Sequence, residues 1–125
     1  MSSDWPTLLS LAEAEVKKVL HSLPRDLRDA ANRVPVSLET RPNRALQTDG
    51  IEADTLGLFV GEPFSETGQS SEPLPPQIIL FLENLWETAD EDASLYRTEV
   101  RTTFLHELGH YLGLDEIDLE ERGLE

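Results

Sequence analysis

The chain has 125 residues, no cysteine and a formal charge of −15. That length suits a single domain over residues 1–125, because folding at this size buries about two thirds of the unfolded surface and needs no cross-links; the absence of cysteine removes disulfides, thiolate metal sites and cysteine nucleophiles. Residues 1 to 50 hold seven basic and seven acidic side chains and the remainder three basic and eighteen acidic, a balance that repels phosphate and argues against nucleic acid as a partner.

The opening Met1-Ser2-Ser3-Asp4-Trp5-Pro6 has no basic lead-in or apolar signal core. No apolar run approaches the ~20 residues that cross a bilayer, so a cytoplasmic protein with no membrane partner is expected. Pro6 to about Leu23 predicts a first helix, capped by Asp4 or Ser3 and stopped by Pro24, with Leu8, Leu11, Ala12, Glu15, Val16, Val19, Leu20 and Leu23 at helical spacing. His21 belongs to it as an ordinary surface side chain. Residues 25–31 form a short second helix begun by Pro24 and ended at Asn32.

Val34 to Glu39 alternates as a half-buried strand, with Pro35 marking an edge or a strand start. Residues 40 to 54 are loop-like. Thr55-Leu56-Gly57-Leu58-Phe59-Val60 is a second strand, where Gly57 and Gly61 signal a bulge or a close backbone approach. Residues 61 to 76 are a Gly/Ser/Glu/Pro-rich loop that could border a cleft. Gln77 to Leu82 is apolar on both faces, as a central strand requires. Residues 83–92 are expected to connect, with Asp90-Glu91-Asp92 placing negative charge at the start of the next helix. That helix runs from about Ala93 to Leu112, and a short closing helix begins near Asp118.

The chemistry is concentrated in the last third of this long helix, at His106-Glu107-Leu108-Gly109-His110 with Gly113 and Glu116 beyond. On a helix, residues four apart project within about 40° of one another, so His106 and His110 are able to share one metal ion, half of a tetrahedral zinc site. Glu107 flanks the same face and suits a general base acting on a metal-bound water. Gly113 is placed to end the helix in the left-handed conformation and turn the chain back. Glu116 is the carboxylate such a turn presents as third ligand, with Asp115, Asp118, Glu120 and Glu121 as competitors. Phe104, Leu105, Leu108 and Leu112 fall on the reverse, core-facing side. Glu99 and Thr103 are candidates to orient a histidine, and Tyr96 and Tyr111 to donate to an oxyanion.

With Leu23-Pro24, Leu56-Gly57-Leu58-Phe59-Val60-Gly61-Glu62-Pro63, Leu74-Pro75-Pro76-Gln77-Ile78-Ile79-Leu80-Phe81 and Val100 to His110, the chain resembles the small bacterial zincin-like metallopeptidases, a minimal metalloprotease fold. The resemblance implies an α+β fold, with a small mixed β-sheet, a backing N-terminal helix and an active-site helix. It implies zinc held by His106, His110 and Glu116, with Glu107 as base and a peptide or protein as substrate. The family often has aspartate at the position of Glu116 and a second histidine where Tyr111 stands. The methionine turn of metzincins is absent, since Met1 is the one methionine. The alternative is a catalytically silent metal- or peptide-binding module of zincin shape.

Overall fold

Helix α1 spans Trp5–Ser22, and its Leu8, Ala12, Glu15, Val16 and Val19 are buried at the three- and four-residue spacing of one helical face. The computed structural model describes residues 4–61 and 75–124, so Ser3 and most of the loop at 61–76 lie outside the described residues. Pro24 and Asn32 bracket α2, Arg25–Ala31, as expected. His21 is exposed on α1.

The sheet has three strands in the order β1-β3-β2. These are β1, Val36–Glu39, β2, Gly57–Val60, and β3, Gln77–Phe81. β1 runs parallel to β3 with Val36 opposite Ile78, and β2 runs antiparallel with Gly57 opposite Leu80. Ile78, Leu80 and Phe81 are fully buried, which matches the central strand read from its apolar run. Pro35 stands just before β1, on an outer strand, and its carbonyl accepts from the Ile78 amide at 2.9 Å.

Two helices differ from the sequence reading. Residues 82–88, expected to finish a strand and connect, form α4, Leu82–Thr88. Leu82, Leu85 and Ala89 recur there at helical spacing and are buried, while Glu83 and Glu87 turn outward to the guanidinium of Arg41. Residues 44–48, expected as loop, form α3, Arg44–Thr48, whose N-terminus is capped by the Asn43 side chain accepting from Leu46. The buried Asn84 of α4 accepts from Arg41 and donates to the carbonyls of Ala53 and Thr55 at 2.9 Å each. Those bonds pin the approach to β2.

Helix α5, Ala93–Leu112, is the hub against which α1, α2, α4, β2 and β3 all pack. Asp92 caps it by accepting from the Leu95 amide at 2.9 Å, the stabilising acidic start anticipated from the sequence. The buried hydroxyl of Tyr96 donates to the Leu8 carbonyl of α1 at 2.8 Å, and the Trp86 ring meets Tyr96 edge-on at 5.5 Å. Gly113 ends the helix at φ 76°, the left-handed turn expected of it. Helix α6, Glu116–Glu121, starts two residues earlier than predicted because Asp115 and Asp118 form a reciprocal capping box. Leu119 and Leu124 anchor this last segment and Arg122 pairs with Asp26 of α2 at 3.1 Å, whereas Ile117 is 65% exposed. The whole is the small mixed α+β arrangement expected of a zincin-like chain.

Candidate metal centre

The last two turns of α5 alternate between core and cleft. Phe104, Leu105 and Leu108 are buried, whereas His106 and His110 are exposed on one side, so packing fixes the helix and leaves the imidazoles to solvent. The two rings stand 4.6 Å apart at 61°. Ligand atoms of His106, Glu107 and His110 lie within 4.8 Å of one another, a group that could hold a metal ion. It is the one such group among the described residues.

Glu107 differs from its histidine neighbours in being 8% exposed. Its Oε1 is 3.5 Å from Nδ1 of His110, and the Phe59 amide of β2 donates to the carboxylate. Burial pushes its pKa above the ordinary carboxylate range, and the opposing pull of His110, His106 and the Phe59 amide does not cancel it. The folded state therefore holds this proton to higher pH than the unfolded chain does. The metal-free protein should lose stability as pH rises from the unfolded carboxylate value, about 4.3, through the raised folded one. Glu107→Gln removes that loss. Urea midpoints of variant and parent should draw apart in the variant's favour above about pH 4; a pH-independent gap would contradict the assignment.

β2 reaches α5 so closely because Gly57 has no side chain. A Cβ there would lie 2.6 Å from Cγ2 of Thr103 and 3.3 Å from Cγ of Glu107, so the glycine marks a close approach and not a bulge. Thr103 thus packs against the strand. Gly57→Ala should lower stability by about 1–3 kcal/mol through overpacking, and should move the Phe59 amide away from Glu107. Denaturant titration checks the first effect, and an unchanged midpoint would mean that the strand has slack.

Glu116 stands on the far side of the cleft. Its Oε1 is 3.8 Å from Nδ1 of His106, and its side chain is 79% exposed. It is not part of the tighter group of three. Asp115, its nearest competitor, has its Oδ1 accepting from the Asp118 amide at 2.8 Å, and Asp118 accepts in return from the Asp115 amide at 3.0 Å. Both carboxylates are therefore occupied as caps. Between α5 and α6 lies a cleft of about 590 Å³, bordered by His106, His110, Gly113 and Glu116.

The two tyrosines separate. Tyr96 donates to Leu8 at the opposite end of α5, which removes it as an oxyanion donor. Tyr111 is 2% exposed and packs on Phe59 with ring centroids 5.9 Å apart. Sequence reasoning missed the Phe59 amide as a partner of Glu107, and no side-chain pattern announces a backbone donor.

No helix among the described residues is long and apolar enough to cross a membrane. A search of curated proteins finds no match. The family model for zincin-like metallopeptidases matches residues 31–124, from the end of α2 through α6, and leaves α1 outside the matched region. With three quarters of its length matched and a His-Glu-His group on its longest helix, the chain belongs to the zincin-like metallopeptidase family.

Proposed function

We propose that the protein is a zinc-dependent peptide hydrolase in which His106, His110 and Glu116 hold the ion and Glu107 is the general base. The observation that carries this reading is the asymmetry of the cleft. Two solvent-facing imidazoles sit 4.6 Å apart beside one buried carboxylate whose proton affinity is raised, with a second, freely exposed carboxylate 3.8 Å from His106. Two imidazole nitrogens and one carboxylate oxygen suit catalytic zinc, which keeps its remaining position for solvent or substrate. Glu116 fits the third place better than Asp115, whose carboxylate is engaged by the capping box.

Zinc bound there supplies Lewis acidity, lowering the pKa of a water and polarising a substrate carbonyl. Glu107 takes a proton onto its carboxylate and later passes it to the leaving amine. Its raised pKa brings it nearer to neutrality, where a group that first accepts and then donates is most effective. The Phe59 amide is the backbone donor that faces this carboxylate from β2. A substrate in extended form would add to the outer side of β2, the outer strand that abuts α5 through Gly57.

The test is metal analysis coupled to cleavage of a broad peptide library. One equivalent of zinc, activity lost on chelation and activity regained on adding zinc are expected. Stoichiometric zinc with no cleavage of any peptide would leave a binding module of zincin shape.

A further inference from the structure

The two histidines ride on one helix, but Glu116 lies beyond its end and has to be brought back over it. The contact that brings it back is at Gly109, between the histidines in sequence. This glycine is helical and buried, a setting where glycine costs about 1 kcal/mol relative to alanine. Neither a turn nor a left-handed conformation accounts for it.

The return segment accounts for it. The Leu114 amide donates to the Gly109 carbonyl at 2.8 Å. A Cβ on Gly109 would fall 2.8 Å from the Leu114 carbonyl oxygen and 3.4 Å from Cδ1 of Leu119. The first of these is backbone and unable to rotate aside, so a methyl group there would lift the whole stretch from Gly113 to Glu116. We propose that Gly109 is a positioning residue for the third metal ligand: its bare backbone is the surface on which the return segment docks, and this docking sets the carboxylate of Glu116 beside His106. The inference rests on the reading of Glu116 as a ligand.

Gly109→Ala has opposed consequences for helix and site. Alanine favours α5 by its propensity, so the metal-free variant keeps the helical far-ultraviolet spectrum of the parent. Its zinc affinity, measured with zinc alone by chelator competition, falls about 10- to 100-fold, the range for partners that orient a ligand without touching the metal. In a Glu116→Ala background the same change costs nothing further, whereas a packing defect unrelated to Glu116 would add its loss in either background. Leu119→Ala loosens the docking from the α6 side, shows the same non-additivity and decides the matter if Gly109→Ala does not fold. Parent-like zinc affinity in Glu116→Ala removes the ligand reading and this inference with it. Weakened affinity in Glu116→Ala, with parent-like affinity in Gly109→Ala and Leu119→Ala, overturns the inference alone.

Discussion

Glu107→Gln is expected to keep its zinc and lose about 10²- to 10⁴-fold in peptide hydrolysis, the usual contribution of a positioned acid–base group. The glutamine is nearly isosteric, and its amide oxygen still accepts from the Phe59 amide that holds the native carboxylate. The metal-binding residues of the proposal are His106, His110 and Glu116, so affinity for zinc should be preserved. What disappears is the group proposed to accept a proton at one step and return it at the next. Measuring zinc content and cleavage on the same sample separates the two. A variant that hydrolyses peptides at the parent's rate would show that another group moves the proton.

His106→Ala should reduce zinc affinity by more than the about 10- to 100-fold attributed to partners that only orient ligands. His106 is the shared member of the site, 4.6 Å in ring separation from His110 and 3.8 Å from the Glu116 carboxylate. In the proposed site, its removal leaves His110 alone on the helix, separated from Glu116. The side chain is 46% exposed, and exposed substitutions of this kind usually alter stability by no more than about 0.5 kcal/mol. A weakened site is thus not an unfolded protein. His21→Ala, on the exposed side of α1, is the matched control and should bind zinc like the parent. Equal zinc in all three proteins would leave the cleft without its proposed ion.

The features most legible in the sequence are those in which one residue has one physical task. Gly113 as a left-handed terminator, the acidic charge of Asp90-Glu91-Asp92 at the start of the long helix and the apolar run at Gln77 to Leu82 as a covered central strand, which ends at Phe81, are realised. The two imidazoles also share a face, because helical periodicity alone puts them there. Helix α4 escaped because Leu82 continues the apolar run of β3 without a break, so nothing local separates strand from helix. Its outward carboxylates make sense only with Arg41, more than forty residues away. Gly57 is legible as a bulge or a close backbone approach, and the close approach, to Thr103 and Glu107, is what it makes; Gly109 carries no such sign, because its contact with Leu114 lies on the return path of the chain.

The attachment of α6 has a consequence for hydrogen exchange. Six residues long, it is held among the described residues by Leu119, Leu124 and an ion pair to α2, whereas α5 is enclosed by most of the fold. Segments so unequal in buried contact open with different free energies. Amide protons of Asp118 and Leu119 should therefore trade with deuterium through small local fluctuations, while those of Phe104 and Leu108 wait for global unfolding. The cleft is then a fixed wall faced by a breathing one.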